Sequence, residues 1–443
     1  MDSEYSILDD LDSNVIQLRD EALSLDDFYG FLPEAKLIYK PTGELWSTRA
    51  VDKHFGKAGT KENQVNQSTI LFKEKPIHQI AWIPGEPQVM KGKIFSNGGY
   101  IEKPGVNVFN QYKSPTITKG NLTNIGLWHD HIKKIYPDEA EHIIKYFAFK
   151  VQNPGEKINH AIVLGGNQGI GKDTIVEPVK HAVGHWNWGE IAPDAILGQF
   201  NTYVKNVFVR ISEARDLGDT DKYKFYERMK TLTVTPPDVL RVNEKFQGEK
   251  YVKNCFGVII TTNNKSTGLY LPADDRRHYV AWSDCLGEQF DYKYWQRIWD
   301  WYERGGLNNV AEYLRTLDIS DFNPKSPPHK TDAWWQIVTA GSSPEEGDLL
   351  QTIEDLGNPI VVTLEQIKQR ARETNIDLFY FMTEPKNKTR IPFKMEAIGY
   401  ERIPNDSAKD KTWRVNGKRI YYYGKTGIPK REHLENIRNG LVH

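Results

Sequence analysis

The 443-residue chain predicts an α/β fold built on a parallel sheet with helices on both faces. Three observations carry this. Apolar runs fall at 160–164, 207–211 and 256–260, separated by helical or mixed segments. Such alternation is the signature of strands joined by crossover helices. The first run, His160 to Leu164, leads into Gly165-Gly166-Asn167-Gln168-Gly169-Ile170-Gly171-Lys172-Asp173-Thr174 and then a helix-like segment to Val183. Strand, glycine-rich loop, lysine and helix form the layout of a phosphate-binding P-loop.

The elements follow in chain order. Residues 1–120 alternate short apolar runs with turn signals, among them Pro41-Thr42-Gly43, Asn97-Gly98-Gly99 and Pro104-Gly105, and show little helical periodicity after residue 56. Short strands and loops are expected there. Residues 121–154 predict a helical, collar-like segment broken at Pro137, with apolar residues at helical spacing through Glu139–Phe149. Residues 155–322 hold the P-loop core. Asn323-Pro324-Lys325-Ser326-Pro327-Pro328 reads as a linker. Residues 329–443 predict a small α+β domain, with a helix from Leu364 to Asn375 and strands at Thr412–Val415 and Lys418–Tyr423. A helix followed by a β-ribbon wing is one good fit.

Composition limits the function classes. Apolar residues at 39 % and charged residues at 26 % suit a folded chain with real cores. The two cysteines, Cys255 and Cys285, exclude a disulfide framework and form no metal-type pair. No signal peptide or membrane-length apolar run stands out, which predicts a cytoplasmic protein without membrane contact. The net charge of −1 hides an asymmetry: residues 1–34 hold ten acids and one base, whereas residues 366–443 hold seventeen Lys and Arg against nine Asp and Glu. The basic end is a nucleic-acid surface or a solvated basic face. His129-Asp130-His131 puts its side chains on different helix faces with no third ligand nearby, so no metal site is expected.

Four motifs carry chemistry. In the loop from Gly166 to Thr174, including Asn167, Gln168, Gly169, Ile170 and Gly171, glycines let backbone N–H groups turn toward phosphates. Lys172 adds a mobile cation, and the helix start adds its dipole. Val207–Glu213 is a strand ending in an acid placed to orient an attacking water, or in a capping glutamate. Phe256–Asn264 is a buried strand whose end offers Asn263 to a phosphate or a water, or uses the asparagines as a turn. Leu271–Val280 brings Arg276 and Arg277 before a strand, where arginine can act on a neighbour's nucleotide or sit in surface ion pairs.

Taken together, this order and spacing resembles superfamily 3 helicases of the AAA+ class, most closely those of phage and plasmid replication, including the helicase half of phage primase-polymerases. The likeness is strongest over 155–285, and extends weakly to Lys103–Phe109 and to Gly399-Tyr400-Glu401. It implies that ATP is the nucleotide, with Lys172 on its β- and γ-phosphates, Glu213 as catalytic base, Asn263 as polar sensor, and Arg276 or Arg277 as the finger reaching an adjacent subunit. It implies a homo-oligomeric ring, usually a hexamer, with single-stranded DNA in the channel and a primase–polymerase module as a candidate partner. The family's DNA-gripping hairpin corresponds to Val239–Lys253, with Arg241, Lys245, Lys250 and Lys253. Residues 222–254 carry eight basic and four acidic side chains.

The chain departs from that pattern in two places. Asp173 follows the lysine where Ser or Thr is usual, and Ser212 precedes Glu213 where an acid is common. Either the two swaps compensate, with Asp173 and Ser212 around one Mg²⁺, or Asp173 repels phosphate and hydrolysis is weak. The functions to be separated are therefore an ATP-driven DNA helicase or translocase, a weakly catalytic ring that uses nucleotide for assembly and clamps DNA, and a small-molecule P-loop kinase.

Overall fold

The computed structural model describes residues 22–212, 218–243, 250–264, 269–341, 344–415 and 417–438. Glu213 and Lys245 lie outside them. The chain divides into two compact units, Met1–Lys113 and Ser114–His443.

In the first unit a four-stranded sheet runs in the order Glu44–Ser47, Lys36–Tyr39, Phe28–Phe31, Pro76–Ile77. A second sheet places Gly99–Asn110 between Gln79–Ala81 and Val89–Ser96. Pro104-Gly105, expected to be a turn, instead sits inside the long strand. The register slips there, from Lys91 opposite Asn107 to Lys93 opposite Glu102, and Gly105 takes φ +81°. A proline is tolerated at such a bulge because it has no ladder N–H to offer. The helix Gln67–Glu74 is a second departure from the expected strands and loops. It buries only Ser68 and Leu71, too narrow a stripe to read as helical periodicity. It packs so closely that a Cβ on Gly30 would fall 2.7 Å from the Phe72 backbone. Val51 and Leu71 bring this helix and Thr48–Phe55 onto Phe28 and Leu37.

The second unit contains a five-stranded, wholly parallel sheet in the order Trp188–Ile191, Phe208–Ile211, Gly257–Thr262, Ala161–Gly166, His278–Ser283. The three apolar runs read from the sequence are three of these strands. Ala161–Gly166 and Gly257–Thr262 are buried at every residue, as central parallel strands must be. One face of the sheet, with Val163, Val209 and Val258, packs on Phe225, Met229 and Trp334. The other meets the helix Ala140–Gln152, where Tyr146 Oη accepts the Val258 N–H at 3.0 Å and donates to the Val258 carbonyl at 2.9 Å. Gly126–Ile135 and Ala140–Gln152 are the two helices expected either side of Pro137.

Beyond the linker, the helices Pro344–Asp355, Leu364–Thr374, Ile376–Thr383 and Ile391–Ala397 share a core with Leu349, Ile367, Leu378 and Met395. The helix Leu364–Thr374 starts at a capping box between Thr363 and Gln366. A three-stranded antiparallel sheet orders Val361–Thr363, Tyr422–Lys425 and Tyr400–Arg402, and a separate ribbon pairs Trp413–Val415 with Lys418–Ile420. Among the described residues, no helix is long and apolar enough to cross a membrane.

Candidate nucleotide site

Because all five strands are parallel, their C-terminal ends gather at one edge, where ligands of open α/β sheets bind. Strand order decides which ends become neighbours. Gly257–Thr262 lies between Ala161–Gly166 and Phe208–Ile211, with Gly165 opposite Thr262. The loop after the first strand therefore lies beside Asn263, and Arg210 of the third faces the same edge. A cleft of about 370 Å³ opens there, with Lys172, Asp173, Arg210, Thr261, Asn263 and Trp299 among its walls.

The loop holds its shape by glycine geometry. Gly166, Gly169 and Gly171 take φ +140°, +80° and +87°. A Cβ on Gly171 would fall 2.5 Å from both His131 Nε2 and the Trp295 ring. Gly171 also starts the helix Lys172–Val183 with no side-chain cap, leaving its first N–H groups for a ligand. Pro178 sits inside that helix and cannot donate to the Thr174 carbonyl. Tyr302 Oη makes that bond instead, at 2.8 Å. Trp128 Nε1 donates to the next carbonyl, Ile175, at 2.9 Å.

Lys172 Nζ donates to Gly166 O at 2.7 Å, Asn167 O at 2.8 Å and Asn263 Oδ1 at 2.7 Å. The structure thus brings together the lysine and the strand-end asparagine that the sequence singled out separately. The turn after the strand is made by Thr262 Oγ1, which accepts the Asn264 N–H at 3.1 Å, so Asn263 keeps its side chain for Lys172. Partial burial lowers the Lys172 ammonium to about 8; Asp173 opposes the shift and Arg210 adds to it.

Asp173 is in an ion pair with Arg210. Ser212, the other residue expected around Mg²⁺, directly follows the strand Phe208–Ile211. Ser212 donates its backbone N–H to Ile191 O at 3.0 Å and is not among the cleft-lining residues. Among the described residues no three His, Cys, Asp or Glu cluster to hold a metal.

Arg276 and Arg277 do not line this cleft. They border another, of about 550 Å³, with Tyr226, Asp274, Glu396 and Arg402. Beside them Asp275 is buried, yet its carboxyl is held at about 2: burial raises it, and His278, the Arg277 N–H and the Tyr226 hydroxyl outweigh that.

The hairpin Val239–Val242/Lys250–Lys253 sets Leu240 opposite Val252, both buried in the core. On its other face Arg241 lies opposite the half-exposed Tyr251, with Lys253 next along and 3.3 Å from Glu156. Lys250 ends the ribbon, opposite Val242.

Four functional candidates escaped sequence reasoning. Arg210 was readable as the one charge in an apolar strand. Trp295 and Trp299, spaced i, i+4 on the helix Tyr292–Trp301, wall the cleft. His131 is buried against Gly171 O at 3.3 Å and Tyr294 Oη at 2.9 Å, and burial lowers it to about 4. It is a neutral brace under the loop.

Residues 164–277 match the model of DUF5906, a family of unknown function. No curated protein matches the chain. Among solved structures, the ligand-free C-terminal region of NrS-1 (305–718) superposes with a TM-score of 0.55 at 16 % identity, covering 90 % of this chain and 95 % of that one. Its A form gives 0.53 at 17 % identity, covering 88 % and 93 %. A JCV helicase overlaps over 54 % of this chain and 66 % of its own, at a TM-score of 0.29 and 11 % identity. At these identities, what this chain shares with the NrS-1 region is its fold.

Proposed function

We propose that the chain is an ATP-driven, ring-forming DNA helicase or translocase of the superfamily 3, AAA+ type, acting in phage or plasmid replication. The observation that carries this is the meeting of Lys172 and Asn263 at 2.7 Å, at the ends of adjacent parallel strands and over an uncapped helix start. A lysine that touches a loop carbonyl and a polar strand-end residue can exchange both for phosphate oxygens. Asn263 is then released beside the terminal phosphate, where a group positions water. Arg276 and Arg277 stand away from their own chain's cleft, which supports their acting on a neighbouring subunit. The outward face of Arg241, Tyr251 and Lys253 suits a strand gripped by its backbone with bases stacking on an aromatic ring. A partner module of primase–polymerase type belongs to the same proposal.

A second reading is favoured by Asp173 being paired to Arg210: a ring that binds nucleotide for assembly and turns it over slowly or not at all. One experiment separates the two. ATP hydrolysis is measured with and without single-stranded DNA, beside Lys172→Ala and Asn263→Ala, with native mass spectrometry for assembly. DNA-stimulated turnover lost in Lys172→Ala and strongly reduced in Asn263→Ala is the expected result. Binding without turnover, abolished by Lys172→Ala, selects the second reading. Nucleotide binding indifferent to Lys172→Ala refutes both.

A further inference from the structure

Arg210 is the one basic residue of the strand Phe208–Ile211, and its side chain is only 13 % exposed. A guanidinium is costly to bury unless its donors are met. They are met incompletely. One terminal nitrogen is in an ion pair with Asp173 and lies 3.5 Å from Thr261 Oγ1; the other is 3.9 Å from Glu190 Oε1. Its Nε is buried with no partner among the described residues. Asp173, by contrast, is 76 % exposed, so the acid is at the solvent side and the arginine is rooted in the sheet. Arg210, Asp173, Thr261 and Lys172 all border the same cleft.

We propose that Arg210 is a second phosphate ligand of the nucleotide, held by Asp173 in the ligand-free chain and handed to the phosphates when they enter. The inference rests on the nucleotide reading of this cleft. A guanidinium fork matches phosphate oxygens as well as it matches a carboxylate. Asp173 occupies the first turn of a helix whose start favours an anion, so it is the anion present when no phosphate is. An entering polyphosphate carries several negative charges against one and wins the exchange. The cleft then meets it with two protein cations, Lys172 and Arg210. This accounts for the first departure from the expected motif: the carboxylate after the lysine is a place-holder for phosphate, and its partner on the third strand is a guanidinium.

The test is equilibrium binding of a fluorescent ATP analogue and of tripolyphosphate to the full chain in EDTA, where no divalent cation contributes. The proteins are the parent, Asp173→Asn, Arg210→Met, the double variant and Lys172→Ala. Asp173→Asn should tighten both ligands several-fold, since it releases the arginine. Arg210→Met, an apolar side chain suited to the strand, should weaken both about tenfold or more. In the double variant the gain from Asp173→Asn should vanish. Parent-like binding by Arg210→Met, or an equal gain in both backgrounds, overturns the proposal; the second result means that Asp173 simply repels phosphate. Should Arg210→Met fail to fold, Arg210→Gln takes its place in the same cycle, and unchanged affinity in Asp173→Asn alone still refutes the handover. If Lys172→Ala weakens binding and Arg210→Met does not, the nucleotide reading stands and this inference alone falls. If Lys172→Ala binds like the parent, the nucleotide reading falls and the inference falls with it.

Discussion

Pro178 and Tyr302 make a compensating pair that can be taken apart. Proline inside the helix Lys172–Val183 removes the donor for the Thr174 carbonyl, and Tyr302 supplies one from outside at 2.8 Å. Both Tyr302 and Thr174 are buried, so water does not reach the carbonyl once the hydroxyl is gone. Tyr302→Phe removes one oxygen and no packing volume. Its cost is then the desolvation of an unmet carbonyl, about 1–3 kcal/mol. Pro178→Ala restores an N–H pointing along the helix at that same carbonyl. In the Pro178→Ala background Tyr302→Phe should therefore cost no more than about 0.5 kcal/mol, and the double-mutant cycle should show a coupling of about 1 kcal/mol or more. Urea denaturation of the four proteins, followed by tryptophan fluorescence, measures it. An equal cost of Tyr302→Phe in both backgrounds refutes the argument: the hydroxyl would then not be replacing the missing helix bond. The same four proteins test the link to function. Thr174 lies two residues after Lys172, so Tyr302→Phe should also weaken nucleotide binding, and Pro178→Ala should restore it.

Four further outcomes follow from the geometry. Gly171→Ala should abolish nucleotide binding and destabilise by at least about 1 kcal/mol, since a Cβ there meets His131 and Trp295 at 2.5 Å with φ at +87°; binding and denaturation assays check both. Lys172, lowered to about 8 in the ligand-free chain, must be protonated to hold phosphate. Binding should therefore take up protons at pH 8.5 and not at pH 6.5, and weaken as pH rises through 8, read by calorimetry in buffers of different ionisation enthalpy. His131 and His142 are both lowered by burial to about 4, so between the ordinary value near 6.5 and 4 the unfolded chain binds more protons than the folded one. Stability should be complete above pH 6.5 and fall on acidification toward 4, with a shallower fall in His131→Gln. Finally, Lys394 and Glu346 form a buried ion pair at 2.8 Å. Lys394→Met should cost about 3–5 kcal/mol by leaving a buried carboxylate, and Lys394→Met with Glu346→Leu much less, as thermal denaturation would show.

What the sequence displayed of this site was what the backbone demands. Gly166, Gly169 and Gly171 stand at φ values that other residues avoid, and such demands fix residue type at fixed spacing. The buried strands were legible for a related reason: a strand covered on both faces has little choice but Val, Ile and Phe. Less visible was anything set by a partner distant in sequence. Trp188–Ile191 became an edge strand only because Phe208–Ile211 offers it a ladder. The helix Gln67–Glu74 was hidden because it buries only Ser68 and Leu71, too few to make a stripe. Arg210 looked like an interruption in an apolar strand, since its partner Asp173 is 37 residues earlier.

The carboxylate after the P-loop lysine and the guanidinium in the third strand are better understood as one structural event than as two anomalies. A carboxylate after the lysine, taken alone, would place a negative charge beside the phosphates, and natural P-loops would avoid it. A guanidinium inside a parallel strand, taken alone, would be a buried cation with only the distant Glu190, 3.9 Å away, as counter-charge. Each is better tolerated with the other, because only Gly257–Thr262 separates Phe208–Ile211 from Ala161–Gly166 and Arg210 reaches Asp173 in the first turn of the helix. The cleft's charge balance is thus carried by a pair of side chains that can separate. Such a pair is a better fit to a site that alternates between empty and filled than to one evolved to stay empty, because a permanently empty cleft gains nothing from an Arg210 Nε that has no partner among the described residues.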